Sequence, residues 1–232
     1  MKVAVSWSGG KDSCLACFKA VQEGLEVSNL LTMITSDGKS NFHKIRTDLL
    51  DAQASAIGIP ITKRVTTSGF YEQEFKSALQ QLKNAGVQGL VTGDIFEVPL
   101  HEEGWLNRIC REIGLKPIKP LWMQNTTQIF HEFVNSGFEA VVVRVNLEML
   151  TLDWLGRRLS EKFFQDIAEI SNVDPCGEKG EYHTLVIDGP LFGKRIDILE
   201  SRKATLEGSG QLEITQFKVI EKRRQTVNEE SI

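Results

Sequence analysis

Residues 3–21, VAVSWSGGKDSCLACFKAV, decide the fold. Val3 to Trp7 is an apolar run interrupted only by Ser6, the pattern of a parallel strand buried on both faces. Two glycines break the run. Cys14, Cys17, Phe18 and Val21 then recur at helical spacing, and Gly24 supplies a stop.

The same alternation continues downstream. Leu30 to Ile34, Ile61 to Val65, Val87 to Val91 and Pro117 to Leu121 read as further strands. Between them lie three more helical faces: Ile45, Leu49, Ala52 and Ala56; then Tyr71, Phe75, Ala78, Leu79 and Leu82; then Leu106, Ile109, Cys110 and Ile113. Five strands alternating with four helices predict an α/β, Rossmann-like parallel sheet with right-handed crossovers and helices on both faces. After about residue 125 the order of elements changes. A helix near 126–136, an apolar strand over 140–145 and a helix near 160–170 precede three strand-like pieces, YHTLVID, KRIDILES and LEITQFKVI, the last two divided by a flexible EGSG. This is α+β organisation. The expected layout is a nucleotide domain over 1–125, a smaller α+β substrate domain over 126–222, and a frayed tail over 223–232.

Composition narrows the class. The 232 residues are 41% hydrophobic and 25% charged, an ordinary globular balance. The apolar stretch before Ser8 is too short for a signal-peptide core, and no window approaches the ~20 apolar residues of a membrane span. A cytoplasmic protein without membrane contact is expected. The net charge of −4 gives no general drive toward nucleic acid. Four cysteines do not make a disulfide scaffold, and Cys14 and Cys17 share a predicted apolar face with Phe18 and Val21, so core packing is their expected role. The four histidines, His43, His101, His131 and His183, have no zinc spacing. Trp122 and Trp154 read as core or interface residues.

The opening turn has a chemical reading. In an α/β sheet ligands sit at the carboxyl ends of the strands, and the first strand-to-helix turn is the favoured phosphate site. Gly9 and Gly10 let the backbone approach an anion, the helix start points N–H groups at it, Lys11 adds a full charge, and Ser8 and Ser13 add hydroxyls. The spacing fits neither G-x-x-x-x-G-K-[ST] nor G-x-G-x-x-G. An isolated Gly-Gly pair would be only a tight turn. As a whole, SGGKDS after the first strand resembles the PP-loop of the N-type ATP pyrophosphatases, whose fold is of the adenine nucleotide alpha hydrolase type. The resemblance implies that Ser8, Gly9, Gly10, Lys11, Asp12 and Ser13 cradle ATP. It further implies that Mg2+ assists and that cleavage falls between the α and β phosphates. Gly93 and Asp94 are expected to complete the nucleotide site, and Asp12 and Asp94 are the candidates for holding the metal, since Mg2+ prefers hard oxygen ligands.

A second stretch is DPCGEKGEYHTLVIDGPLF, residues 174–192, where Glu178 and Glu181 flank a glycine turn and His183 follows before a strand. Alone it reads as a polar turn with solvated carboxylates. With SGGKDS, LGR at 155–157 and DGPLF at 188–192, it is similar to the diphthine–ammonia ligase family, which carries an E-G-G-E-aromatic motif in its C-terminal domain. The resemblance runs from Val3 to about residue 200. It implies an ATP-dependent ligase that adenylates a carboxylate and amidates it with ammonium, with diphthine on elongation factor 2 as the acceptor and Lys11, Asp12, Glu178, Glu181 and His183 as catalytic residues. Diphthine carries a quaternary ammonium, for which Trp154, Glu178 and Glu181 are candidates, although Trp154 also reads as packing for the helix that follows.

The departures from the family pattern bear on the acceptor more than on the reaction. Lys179 replaces a glycine, His183 stands where many members have an acid, and His101, Glu102, Glu103 and Trp105 occupy a region where many ligases show Tyr, Gln and basic residues. Two other readings keep the loop. One changes the acceptor to another carboxylate or to tRNA thiolation, which would recruit Cys110 and Cys176. The other is a non-enzymatic nucleotide-binding module that has no use for the Glu178–His183 cluster.

Overall fold

The computed structural model describes residues 1–41, 43–96 and 104–222; His101, Glu102, Glu103 and the tail over 223–232 lie outside the described residues. The first strand, β1 (Lys2–Ser6), leads through the glycine turn into α1 (Lys11–Gln22). Then follow β2 (Glu26–Ile34), α2 (Thr47–Ile57), β3 (Ile61–Val65), α3 (Tyr71–Asn84), β4 (Gly89–Val91), α4 (Trp105–Ile113) and β5 (Lys116–Ile118). The five strands form one parallel sheet in the order β3-β2-β1-β4-β5.

Period-two alternation along β1 sorts the helices between the two faces of the sheet. Val3 and Val5 pack into the cluster that holds Cys14, Leu15 and Cys17 of α1 and Leu49 and Leu50 of α2. Ala4 packs into the other, with Phe75 and Leu79 of α3 and Ile109 and Cys110 of α4. Both cysteines of the CxxC are therefore core residues. The chain winds one way through β1, β2 and β3 and the other way through β4 and β5, which leaves a crevice at the carboxyl ends of β1 and β4.

Beyond β5 come α5 (Thr126–Asn135), β6 (Glu139–Asn146), a single 3-10 turn (Leu152–Trp154), α6 (Glu161–Ala168), β7 (Tyr182–Asp188), β8 (Lys194–Leu206) and β9 (Ser209–Glu221). The Asn125 and Ser160 side chains cap α5 and α6, accepting from the Gln128 and Phe163 backbone N–H groups. β6 to β9 form an antiparallel sheet in the order β7-β6-β9-β8. Val141, Val143, Val145 and Ile187 of this sheet belong to the cluster that holds α1 and α2, so those helices lie between the two sheets. Among the described residues no helix is long and apolar enough to cross a membrane.

Several boundaries differ from expectation. β2 begins at Glu26, four residues early, because its half-buried polar start pairs with Lys2 and Val3. Ile45 precedes α2, and α6 is two turns rather than three. The EGSG segment is a two-residue hairpin turn: Leu206 pairs with Ser209, and Glu207 and Gly208 both have positive φ, as the right-handed twist of the flanking strands requires.

Candidate active site

The glycine turn is clamped between the two sheets. The Gly9 carbonyl accepts from the Val186 N–H of β7 at 2.9 Å and from Gln53 Nε2 of α2 at 2.9 Å. Gln53 is fully buried; its Nε2 also reaches the Val186 carbonyl at 2.7 Å, and its Oε1 accepts from Trp7 Nε1 at 3.1 Å. Every polar atom of this buried amide is thus engaged, which makes it a rigid bracket for the turn. Gly9 has φ +79, and a Cβ there would meet Gln53 Oε1 at 2.6 Å. The N-cap position of α1 is Gly10, which brings no capping side chain; a Cβ there would lie 2.5 Å from His43 Cε1. The Lys11 N–H donates to Thr184 Oγ1 of β7 at 3.0 Å. The Ser8 and Ser13 hydroxyls lie 3.1 Å apart, and Ser13 Oγ donates to the Gly10 carbonyl.

Lys11 is the centre of charge. It is 5% exposed, and its Nζ lies 2.9 Å from Asp12 Oδ2 and 3.3 Å from Glu178 Oε1. Burial alone would pull its pKa down, but Asp12, with Glu178 and other neighbours, outweighs that and holds it well above the usual lysine value. Glu178 behaves in the opposite sense: burial, helped by Asp12, pushes its carboxyl up to about 7 despite Lys11. Asp12 Oδ1 is buried and has no hydrogen-bond partner among the described residues. Cys176 is fully buried near Asp12 and Glu178, and burial pushes its thiol far up, so it remains protonated.

Ser8, Lys11, Asp12, Ser13, Gly93 and Asp94 line one cavity of about 750 Å3 together with Glu178 and His183. Its floor is the carboxyl ends of β1, β2 and β4. Gly93 follows β4 closely: a Cβ there would sit 2.6 Å from the Asp12 carbonyl carbon and 2.8 Å from Ser13 N, so the strand end touches the first turn of α1 because it has no side chain. Asp94 is exposed and accepts from Thr92 Oγ1 at 2.9 Å.

Glu181 does not join this set. It is fully buried, and its two oxygens accept the Asp174 N–H at 2.6 Å and the Lys179 N–H at 2.8 Å, which closes the turn that carries Glu178. Trp154 also lies away from the cavity. It packs edge-on to Phe163 with the Arg157 guanidinium 4.1 Å above its ring, so the suggested contact with a quaternary ammonium is corrected to a packing role. Trp122, by contrast, was expected in the core or an interface and lines the cavity. Cys110 is sealed between α3 and α4.

Four participants had escaped the sequence reading. His43 lines the cavity, lies against His183 with 4.6 Å between centroids and the rings tilted by 41°, and has Nδ1 3.3 Å from the Thr184 carbonyl, which makes that nitrogen the donor. Burial holds both imidazoles neutral, His43 down to about 4. Thr184, Gln53 and Lys119 are the others. Gln53 had a signal: it falls on the apolar face of α2, four residues after Leu49.

The cavity therefore offers an anion site at a helix start, a buried lysine and a carboxylate of raised pKa. Residues 1–117 match the diphthamide synthase N-terminal domain, and residues 125–220 match the diphthamide synthase C-terminal domain. Relatives named diphthine–ammonia ligase include one from Schizosaccharomyces pombe, 29% identical over 91% of this chain and 38% of its own length, and one from mouse, 26% identical over 90% and 86%. The chain thus spans little more than a third of the yeast relative and most of the mouse one. A solved structure described as a predicted subunit of tRNA methyltransferase from Methanocaldococcus jannaschii superposes with a TM-score of 0.45 at 16% identity, covering 82% of this chain and 98% of its own. With both halves of the chain matched in order, this protein belongs to the diphthamide synthase family.

Proposed function

We propose that this protein is an ATP-dependent amidoligase that adenylates a carboxylate and amidates it with ammonia, releasing AMP and pyrophosphate, with diphthine on elongation factor 2 as the acceptor. Residues 1–125 serve the nucleotide and residues 126–222 the acceptor. The observation that carries this reading is Lys11 Nζ, buried at the start of α1 and joined both to Asp12 and to Glu178 of the C-terminal turn. The phosphate loop and the acceptor turn meet on one charge.

A carboxylate is a poor electrophile until its oxygen becomes part of a leaving group. In the first step that oxygen bonds to the α-phosphorus and the bond to the β-phosphate oxygen breaks. Lys11 Nζ and the positive end of the α1 dipole, beyond the Lys11 N–H that Thr184 already takes, stabilise the charge that develops on the departing pyrophosphate. In the second step the nitrogen lone pair of ammonia bonds to the acyl carbon and the bond to AMP breaks. Glu178 takes the proton that the nitrogen sheds, because burial has raised its pKa to about 7, into the range of a working base. Glu181 holds the turn that presents Glu178. His43 and His183, both neutral, shape the wall between the two reactants.

The donor set suits Mg2+: Asp12 presents a buried carboxylate oxygen that no other described residue satisfies, and Asp94 lies on the same cavity. When bound there, the ion neutralises phosphate charge.

Incubating the protein with ATP, ammonium and diphthine-bearing elongation factor 2 should yield AMP and the amidated factor. Lys11→Ala should lower that rate by 100-fold or more, on the order of losing one preorganised charge donor, with a much smaller effect on melting. Production of ADP in place of AMP, or an unimpaired Lys11→Ala protein, would reject the reading.

A further inference from the structure

The anion-binding groups at α1 account for the phosphates of ATP. They leave open how the cavity receives its second anion, the carboxylate to be activated, which like charge repels from the triphosphate. Among the described residues one further lysine lines the same cavity: Lys119, the residue immediately after β5. The backbone ladder between β4 and β5 continues past the strand ends through the Thr92 N–H to the Ile118 carbonyl at 3.0 Å, so Lys119 leaves a rigid platform.

The local sequence KPLW explains its pose. The Trp122 N–H donates to the Lys119 carbonyl at 3.1 Å, which closes a β-turn with Pro120 at the second position, where its fixed φ is favoured. Leu121 is fully buried and anchors the turn. Gln124 Nε2 binds the Pro120 carbonyl at 2.7 Å, and the Met123 N–H binds the Ile95 carbonyl at 2.9 Å. The first and fourth side chains of such a turn are neighbours, and Lys119 Nζ lies 4.0 Å from the centroid of the Trp122 ring. Among the described residues no carboxylate lies within salt-bridge distance of it. Lys11 differs: its ammonium is already shared between two carboxylates. An aromatic face restricts a lysine without neutralising it. Among the described residues, Lys119 thus has no carboxylate partner to give up before it meets an incoming anion.

We propose that Lys119, held on the face of Trp122, is the binding residue for the acceptor's carboxylate. This rests on the ligase reading above and adds to it the group that recognises the anionic side of the acceptor. Two anionic reactants then meet in one cavity with a separate cation for each.

The test compares elongation factor 2 carrying diphthine, whose carboxylate is present, with the factor carrying the finished amide, which lacks it. Both are titrated without ATP against wild type, Lys119→Met, which keeps the apolar stem, and Lys119→Arg, which restores the charge. ATP affinity and melting are measured on each protein. The wild type should prefer the diphthine form. Lys119→Met should weaken binding of that form about 10- to 100-fold, the range of a charge-assisted hydrogen bond, and erase the preference. Lys119→Arg should recover most of it, and ATP affinity should hold throughout. A Lys119→Met protein that keeps the preference, or whose loss falls on ATP, overturns this assignment and leaves the ligase reading standing, as does a wild type that binds both forms equally. A wild type that binds neither form removes the diphthine reading itself and the assignment with it.

Discussion

Gly93 shows how little room the site leaves. Its missing side chain allows the end of β4 to touch the backbone of Asp12 and Ser13, and a methyl group there would sit 2.6 Å from the Asp12 carbonyl carbon. Neither the strand end nor the helix start can yield without moving the phosphate loop. Gly93→Ala is therefore expected to cost about 1–3 kcal/mol, the usual range for overpacking, and to lower ATP affinity at least about tenfold by displacing the first turn of α1. Gly193→Ala is the control, because its added methyl would make only an ordinary 3.5 Å contact with the Ala56 carbonyl. Thermal melts and ATP titration of both variants check this. Equal behaviour of the two would mean that the contact at Gly93 is relieved without consequence. The place of the neighbouring Lys11 at a helix start was legible from the glycine turn before it. His43 and Thr184 were not, since their relation to Gly10 and Lys11 exists only after elements far apart in sequence have packed.

The turn between α6 and β7 acts as a unit. Gly177 and Gly180, with φ of +79 and +84, give it its shape, and the Glu181 carboxylate ties its ends by accepting two backbone N–H groups. Glu181→Gln replaces one acceptor oxygen with an NH2 group facing an N–H. The expected cost is about 1–3 kcal/mol for the donor left unsatisfied, with activity lost through misplacement of Glu178. Glu178→Gln should abolish turnover with far less effect on stability. Denaturant unfolding and product analysis separate the two; a Glu181→Gln protein that unfolds like wild type yet makes no amide would return Glu181 to direct chemistry. From sequence, Glu178 and Glu181 looked alike, both acids beside glycines. Burial and hydrogen-bond partners tell them apart: Glu181 is bound within its own turn, whereas Glu178 faces Lys11 and the cavity. Strand and helix identities fared better, because apolar periodicity is local: Ile61–Val65 and Tyr182–Asp188 were read to the residue. The polar start of β2 and the long, exposed β8–β9 hairpin carried weaker patterns. The strand order, which creates the crevice, had no local signal at all.

At the scale of the whole molecule, the two sheets are joined at the site, and the junction is expected to respond to protons. His43, from the segment between β2 and α2, packs its ring at a tilt against that of His183 of β7. The groups that act on the pair are the Thr184 carbonyl and Asp12, which favour the charged form of His43, and Lys11 and Arg144, which oppose it on both rings, with each imidazole near the other. Burial is the largest influence on both and lowers both pKa values from 6.5, that of His43 to about 4. The sign of the effect on stability follows. In the unfolded chain each histidine takes a proton near pH 6.5, whereas the native protein refuses it until the pH is much lower. Stability conferred by the neutral pair is fully present above 6.5 and is lost as the pH falls from there toward 4. The wild-type melting temperature should therefore drop more steeply across that window than that of His43→Gln, which has no proton to gain in either state. Carboxylates also titrate there, but they are common to both proteins and cancel in the comparison. Because the pair joins the phosphate loop to β7, the loss should also appear as faster hydrogen exchange at the Lys11 and Val186 amides, which donate across that junction. Parallel melting curves for the two proteins between pH 6.5 and 4 would show that the native state accepts the proton at His43 without strain, and would remove the pair as the acid-sensitive point of the junction.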